Sequence, residues 1–276
     1  MRNLLLSNPL PVFFRSPVIA SFCVMCATVS GNIVPEGAKP WPEISGDGVS
    51  AFVQGKNVWL ELDESVIKAK RVTIPRLCAT LRSVEWASDS ESEIRIKPVS
   101  TEWAFLWKES PEGAAVIKLE FDTVPLLPAD CPAAAPVGDG SVLLHAYQAE
   151  TFGEKILFEP QWYKNTVGYW VVPSDYATWD LSIDEPGKFT VAVLQGCGEG
   201  QGGSDALISL RRGDAVKAEL SFQTVDTGHF QNFRWVHLGE LEVENAGNFE
   251  LRIEAKKIAV KALFDVRMIH LVRQAE

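Results

Sequence analysis

One short segment concentrates aromatic side chains whose type and spacing suit the binding of a flat ligand. It has the sequence PQWYKNTVGYW and contains Trp162, Tyr163, Tyr169 and Trp170. An aromatic ring can lie against the apolar face of a pyranose sugar, while carboxylates and amides hold the hydroxyl groups of that sugar. The polar residues close enough in sequence to do this are Gln161, Asn165 and Asp175. The segment is therefore a candidate sugar-binding surface.

The same aromatic residues are also suited to a hydrophobic core, and strand parity separates the two roles. Trp179 opens an alternating strand on its inward side, so we expect it in the core. Tyr169 has the opposite parity to Trp170 and is the better candidate for an exposed platform. Trp170 fits either role.

A glycine-rich stretch, QGCGEGQGGSD from Gln195 to Asp205, raises the question of phosphate binding. It lacks the Gly-Lys-Ser/Thr ending of a P-loop, and DALISLRRG after it predicts a strand where a phosphate site needs a helix N-terminus. We predict a long loop between two strands, whose glycines permit positive φ and the close approach of another segment. Glu199 and Asp205 would repel phosphate. They are candidate ligand contacts, with this loop as one wall of the aromatic site.

No pattern in the sequence indicates a catalytic centre. The motifs HExxH and G-x-S-x-G are both missing. His229 and His237 would stand about 27 Å apart on one strand, too far to share a metal ion. A glycosidase needs two carboxylates, and 36 acidic residues leave such a pair neither identified nor excluded. We assign no catalytic residue and no metal ligand.

The five cysteines do not make a disulfide framework. Cys23 and Cys26 form a C-x-x-C motif inside an apolar stretch, where two small hydrophobic residues are the simpler interpretation. Cys78, Cys131 and Cys197 allow at most one bridge. We expect Cys131 to be a free thiol in a linker. We expect Cys197 to be a buried, unreactive thiol, because no basic residue or second thiol adjoins it.

Charge and the N-terminal segment bear on partners and location. The net charge of −10 argues against nucleic acid and anionic membranes as partners, because both bind clusters of Lys and Arg. The uncharged stretch from Ser16 to Gly31 follows Arg15 and ends in small residues, as a signal peptide does. It is shorter than the roughly 20 residues of a spanning helix, and an uncleaved anchor stays the alternative. We predict a signal peptide over 1–31 and a secreted or periplasmic protein.

Beyond residue 31, apolar residues alternate with polar ones. The clearest runs are VWLELDE, EIRIKP, VIKLEFD, WDLSID and NFELRIEA. In the last run Phe249, Leu251 and Ile253 share one face, which is typical of a strand with one buried side. Only ESVIKAKRV, from Glu64 to Val72, suggests a helical turn. Short strands without β-α alternation predict an all-β fold of two antiparallel β-sandwich domains.

The segment from Pro125 to Gly140 divides these strands into two groups. It has four prolines and no periodicity, which is typical of a linker. The predicted domains are a small β-sandwich over 32–124, a linker over 125–140 and a second sandwich over 141–276. Within the second, PGKFTVAV and AGNFELRI repeat a turn glycine followed by an inward Phe and alternation.

Several short elements follow one another in a fixed order between Leu144 and Val272. They are Gly168-Tyr169-Trp170, Trp179, Pro186-Gly187-x-Phe189, Gly202-Gly203-Ser204, Thr227-Gly228, Leu238-Gly239, Gly247 and Asp265-x-Arg267. In this order they resemble the galactose-binding-like accessory module at the C-terminus of some bacterial α-L-fucosidases and sulfatases. More faintly, Ile74-Pro75-Arg76-Leu77 and Leu119-Glu120-Phe121-Asp122 resemble parts of the β-sandwich that follows the fucosidase barrel.

The resemblance implies a jelly-roll second domain with a galactose-binding-like fold, which binds carbohydrate and can carry a structural calcium. It covers the accessory domains alone, because the catalytic barrel needs roughly 250 residues of alternating strands and helices. We therefore expect a non-catalytic secreted protein that recognises a carbohydrate or glycoconjugate, or presents a protein partner. Two alternatives stay open: an envelope scaffold that uses both sandwiches for protein contacts, and a cryptic glycoside hydrolase. The candidate ligand contacts are Trp162, Tyr163, Tyr169, Trp170, Asp175, Glu199 and Asp205.

Overall fold

Antiparallel strands account for most of the regular structure in residues 33–89, 91–113 and 115–275, which the computed structural model describes. Within them ESVIKA forms one short α-helix, α1 (Glu64–Ala69), as the sequence suggested, and Asp63 caps it by accepting a 2.9 Å hydrogen bond from Val66 N. No helix among the described residues has the length and apolar character needed to cross a membrane. The predicted signal peptide, with Cys23 and Cys26, lies outside the described residues.

Eight strands form the first sandwich. They are β1 (Lys39–Pro40), β2 (Val49–Gln54), β3 (Asn57–Leu62), β4 (Arg71–Pro75), β5 (Leu81–Trp86), β6 (Ile94–Pro98), β7 (Glu102–Trp107) and β8 (Val116–Phe121). One antiparallel sheet has the order β1-β2-β3-β8-β5 and the other has the order β4-β7-β6. Trp86 of the first sheet packs edge-on against Trp107 of the second, with 5.1 Å between ring centroids. Strands β5 and β6 are edge strands of their sheets.

Eleven strands form the second sandwich. They are β9 (Val142–His145), β10 (Glu150–Phe152), β11 (Leu157–Glu159), β12 (Thr166–Gly168), β13 (Tyr176–Ile183), β14 (Gly187–Cys197), β15 (Asp205–Arg212), β16 (Ala215–Gln223), β17 (His229–Val243), β18 (Gly247–Lys257) and β19 (Asp265–Arg273). One sheet has the order β10-β13-β18-β15-β16, and the other has the order β11-β12-β19-β14-β17 with β9 beside β19. The predicted all-β class, with two antiparallel sandwiches, is confirmed.

The alternating sequence pattern places the core as predicted. On β13, Trp179 is buried together with Leu181 and Ile183, so its assignment to the core is confirmed. The repeated glycine-x-Phe units begin β14 and β18, and both phenylalanines, Phe189 and Phe249, are buried. Because side chains alternate across a strand, the position of each Phe indicates which face of its strand points to the core.

Segment 125–140 connects the two sandwiches and is fixed along its length. A disulfide joins Cys131 to Cys78, which precedes β5, with 6.2 Å between the Cα atoms. The expectation of a free thiol at Cys131 is therefore wrong. The sequence did not reveal the pairing, because the two cysteines are 53 residues apart and meet only in the folded chain. Further along, Ala134 N donates to Asp180 O at 2.8 Å, and Ala134 O accepts from Ser182 N at 2.8 Å.

The two sandwiches share one hydrophobic core within a single compact unit, residues 32–276. Trp103 of β7 packs on Phe158 of β11, with 6.3 Å between ring centroids. Arg76 is buried at the same boundary and donates from Nη2 to Tyr147 O at 2.9 Å and to Ala149 O at 2.6 Å. Burial lowers the pKa of Arg76 to about 10, against the opposing charge of Glu150.

Candidate functional site

Three neighbouring strands of the second sandwich, β11, β12 and β19, carry two buried carboxylates and a glycine. The glycine is Gly168, and a Cβ added there would lie 2.8 Å from Oδ1 of Asp265 and 3.2 Å from Oε2 of Glu159. Their sequence neighbours face the core and have no exposed surface: Phe158, Val167 and Val266. By strand alternation, Glu159, Gly168 and Asp265 belong to the other face of the sheet. The missing side chain of Gly168 leaves a gap that both carboxyl groups approach.

The electrostatics of this gap are unusual for a surface pocket. Only 6% of Asp265 and 4% of Glu159 is exposed. Nζ of Lys164 forms an ion pair with Oε1 of Glu159. The carboxyl of Asp265, in contrast, accepts no hydrogen bond from any described residue of the chain. Burial and the neighbouring Glu159 charge raise the pKa of Asp265 well above its usual range, although Lys164 opposes this.

The pKa of Lys164 is raised as well, but for a lysine this favours the charged form. Burial works against its positive charge, but the hydrogen bond and the charge of Glu159 outweigh that effect and raise the pKa of Lys164. Lys164 and Glu159 therefore form a stable pair of opposite charges. This leaves the carboxyl of Asp265 as the group available to a ligand.

The gap opens into a pocket of about 240 Å³, here called the Gly168 pocket. Its walls combine aromatic, aliphatic and polar side chains, namely Tyr169, Val171, Phe230, Gln231 and Ala262. Concave sites with apolar walls and a few polar groups are typical of small-ligand binding.

The glycine-rich loop stands behind one wall of the Gly168 pocket. The loop joins β14 to β15 and so crosses from one sheet to the other, which confirms the prediction of a loop between two strands. A Cβ at Gly196 would lie 1.9 Å from Phe230 O, and one at Gly198 would lie 2.6 Å from the Phe230 ring. Gly200 and Gly203 have φ of 70° and 85°. The glycines thus serve both predicted purposes, positive φ and the close approach of another segment, here the one that carries Phe230.

Tyr169 stands at the mouth of the pocket in a strained conformation. Its φ is 57°, in the left-handed region, and 55% of the residue is exposed. A non-glycine residue there costs about 1–2 kcal/mol, and such strain clusters at binding sites. The sequence-based expectation that Tyr169 is exposed is confirmed.

Trp170 and Asp175, the next two candidates, are buried, and their role as ligand contacts is corrected. The ring of Trp170 stacks on Phe264 with 5.8 Å between centroids, and its Nε1 donates to Asp175 O at 2.9 Å. The carboxylate of Asp175 accepts from the backbone N–H groups of Glu154, Lys155 and Ile156 at 2.8–3.0 Å. A side chain with no exposed surface cannot stack on a ligand. These two residues instead anchor the turn that presents Tyr169.

Trp162 and Tyr163 are exposed but lie outside the Gly168 pocket. They are 63% and 50% exposed, and their rings meet edge-on with 5.8 Å between centroids. Both line a separate groove together with Gln161 and with residues of the first sandwich. Lys164 lines this groove and the Gly168 pocket alike. The structure therefore brings Trp162, Tyr163 and Tyr169 to adjoining cavities rather than to one.

The acidic residues of the glycine loop do not line the Gly168 pocket. Glu199 is exposed on the loop, and Asp205 begins β15, where Oδ1 accepts a 2.9 Å hydrogen bond from Gln223 Nε2. Cys197 is a free, buried thiol, as predicted. Burial, with the charges of Asp226 and Asp265, raises its pKa to about 11, which makes it unreactive near neutral pH.

Seven pocket residues were not on the list of candidates drawn from the sequence: Glu159, Lys164, Val171, Phe230, Gln231, Ala262 and Asp265. Asp265 was visible as part of the closing Asp265-x-Arg267 element. Arg267 holds the neighbouring backbone, since Nη2 donates to Tyr163 O at 2.7 Å and to Lys164 O at 2.6 Å. An acidic residue inside the apolar strand ILFEP was the one signal for Glu159.

The resemblance implies a calcium ion, but the described residues do not form a recognisable set of ligands for one. Among the described residues there is no group of three or more His, Cys, Asp or Glu side chains placed to hold a metal ion. Calcium prefers six to eight oxygen ligands. The pair of Glu159 and Asp265, with Lys164 beside it, does not suit a cation of this kind.

Comparison with known proteins gives similarity of fold only. No protein-family model matches the chain, and no curated protein matches its sequence. An α-L-fucosidase from Vibrio sp. strain EJY3 is 14% identical with a TM-score of 0.35, over 86% of this chain and 42% of the fucosidase. The chain thus spans about two fifths of that enzyme.

Two smaller structures align with about half of the chain. The C-terminal CBM6 of the laminarinase LamC from Zobellia galactanivorans is 16% identical, with a TM-score of 0.39, over 48% of this chain and 99% of that module. A family 35 carbohydrate-binding module from Clostridium thermocellum is 16% identical, with a TM-score of 0.39, over 49% of this chain and 98% of that module. These values establish no shared family or activity.

Proposed function

We propose that this chain is a non-catalytic carbohydrate-binding protein and that the Gly168 pocket holds a sugar. The observation that carries the proposal is the carboxyl of Asp265, which is more than nine-tenths buried, lines the pocket and has no hydrogen-bond partner among the described residues. A ligand hydroxyl group in the pocket would give this carboxyl a hydrogen-bond partner.

The walls of the pocket complement the two kinds of surface on a sugar ring. Tyr169 and Phe230 offer aromatic rings for the apolar face of a pyranose, and Gln231 offers an amide for its hydroxyl groups. The raised pKa of Asp265 favours a neutral carboxyl, which donates as well as accepts a hydrogen bond. A neutral ligand fits this chemistry better than an anion.

Glycoside hydrolysis is the second candidate, because Glu159 and Asp265 lie together and the pKa of Asp265 is raised. Two features oppose it. Both carboxyl groups project from one sheet face rather than from opposite sides of a cleft. In addition, Glu159 already forms an ion pair with Lys164, so its carboxylate is not free to act on a substrate. Release of reducing sugar from a bound oligosaccharide, lost in Asp265→Asn, would establish hydrolysis and overturn the non-catalytic role.

Export is part of the proposal. The charge-free segment at Ser16 to Gly31 suits a signal peptide, and the Cys78–Cys131 disulfide suits an oxidising compartment such as the periplasm or the exterior. Calcium stays a proposal taken from the resemblance. Comparing the unfolding temperature in calcium chloride with that in EDTA tests it, and equal temperatures would remove it.

A glycan array probed with the full chain tests sugar binding. We expect retention on at least one neutral glycan, about tenfold weaker for Tyr169→Ala. Gly168→Ala should abolish it, because its Cβ would enter the gap between Asp265 and Glu159. Gly138→Ala is the matched control, since no atom lies within 4 Å of its Cβ position. Binding that survives Tyr169→Ala and Gly168→Ala unchanged would place the site elsewhere, and retention of a protein but no glycan would favour a scaffold.

A further inference from the structure

A second cavity adjoins the Gly168 pocket where the two sandwiches meet. It has a volume of about 490 Å³ and is called here the inter-sandwich groove. One side is formed by the edge strands β5 and β6 of the first sandwich, and the other by residues 161–164 of the second. Lys164 lines both cavities, so the groove and the Gly168 pocket border the same residue.

The backbone beneath Trp162 and Tyr163 is held on both sides. Leu81 N donates to Pro160 O at 2.8 Å, and Trp162 N donates to Leu81 O at 2.9 Å, which ties this segment to β5. From the other side Arg267 donates to Tyr163 O. The two aromatic side chains nevertheless remain at least half exposed. The fold therefore fixes the positions of two rings that contribute little to its core.

The lining of the groove points to an uncharged polar ligand. Its charged rim residues are already paired, with Arg95 bound to Glu93 at 2.9 Å and Arg82 bound to Asp122. Gln161 also lines the groove, and its buried Oε1 has no hydrogen-bond partner among the described residues. Isoleucine and valine side chains from the two edge strands, Val84, Ile94 and Ile96, supply apolar surface.

We propose that the inter-sandwich groove is a second binding site, continuous with the Gly168 pocket, and that the two together take a neutral oligosaccharide or polysaccharide chain of several units. This inference rests on the proposed function and deepens it. One sugar unit occupies the Gly168 pocket against Tyr169, and later units pass Lys164 and lie against Trp162. The first sandwich then forms part of the binding surface rather than a spacer.

The test compares ligands of two lengths. Titration calorimetry with the full chain uses glucose, xylose and mannose, and the β-linked chains of six units made from each. In the series that binds, we expect the six-unit chain to bind at least about tenfold more tightly than the single sugar. Trp162→Ala and Gln161→Ala should each reduce that advantage without changing the affinity for the single sugar.

The control is Trp235→Ala, which removes an exposed tryptophan of β17 that lines neither cavity and should change neither affinity. Unfolding temperatures verify that each variant is folded. Equal affinities for the single sugar and the six-unit chain would overturn the groove as a binding site but not the Gly168 pocket. An affinity for the six-unit chain that is unchanged in Trp162→Ala would do the same. If neither the single sugar nor the six-unit chain binds, both the groove and the Gly168 pocket are overturned as sugar sites. The same conclusion follows if no sugar binds and the chain instead binds a protein partner that Trp162→Ala no longer retains.

Discussion

Oδ1 of Asp265 lies 2.8 Å from the point where a side chain on Gly168 would begin. The carboxyl group therefore occupies part of the volume that any other residue at position 168 would take. It does so with 6% of the residue exposed and with no hydrogen-bond partner among the described residues. A group in this position weakens the fold unless something else compensates for it.

The pH dependence of stability reports on this carboxyl. Since its folded pKa is raised, its neutral form supports the fold fully below the unfolded pKa near 4, and that support is lost as the pH rises through the folded pKa. We expect Asp265→Asn to unfold at a higher temperature than the unmodified chain at pH 8. At pH 4 the two should agree, which is the internal control. A variant that is less stable at pH 8 would contradict this assignment.

Tyr169 should show a conflict between stability and binding. Tyr169→Gly relieves a left-handed backbone conformation and should raise the free energy of unfolding by about 1 kcal/mol, measured by urea denaturation. It should also weaken binding on a glycan array by about tenfold, because it removes the same ring as Tyr169→Ala. Lys70→Gly is the matched control, because Lys70 has the same φ of 57° at the end of α1, far from either cavity in sequence. It should gain stability and keep binding, and loss of binding in both variants would contradict the role of the Tyr169 ring.

The disulfide should contribute much of the stability of the unit. Cys78 and Cys131 close a loop with a sequence separation of 53, for which chain entropy gives about 4 kcal/mol. Cys78→Ser with Cys131→Ser should lower the free energy of unfolding by that order, as should reduction of the unmodified chain. Cys197→Ala, which removes a buried free thiol, should leave the effect of reductant intact. An unmodified chain indifferent to reductant would contradict the bond.

Arg76 should be the most sensitive arginine of the described residues. Its guanidinium satisfies two carbonyl groups at the boundary between the sandwiches, and Arg76→Met leaves both without a donor. We expect a loss of about 3 kcal/mol in the free energy of unfolding. Arg95→Met is the control, since it removes an ion pair between two exposed side chains and should cause a much smaller loss. If the free energy of unfolding falls equally in the two variants, the buried hydrogen bonds of Arg76 stabilise the fold no more than the exposed ion pair does.

Local patterns in the sequence predicted the strands well. Alternation located β13 and β18, and the inward parity of Trp179 follows directly from it. The exposure of Tyr169 could also be predicted from the sequence, because Tyr169 and Trp170 have opposite strand parity. These features depend on a residue and its immediate neighbours, which is the range over which side-chain periodicity carries information.

The Gly168 pocket could not be predicted in the same way. Glu159, Gly168 and Asp265 meet because β12 lies between β11 and β19, an order set by the whole sheet. The burial of Trp170 and Asp175 likewise depends on partners such as Phe264 and the backbone after Gly153. The Cys78–Cys131 bridge joins two residues that are 53 positions apart in the sequence. Sequence spacing carries no information on such long-range contacts.

The shared core of the two sandwiches has a consequence for the thermodynamics of recognition. Arg76, the disulfide and the packing of Trp103 on Phe158 hold the two halves in one arrangement before any ligand arrives. The conformational entropy of aligning the two cavities is therefore lost during folding and not during association. If both cavities bind as proposed, this preorganisation would favour ligands whose sugar rings are spaced as the two cavities are.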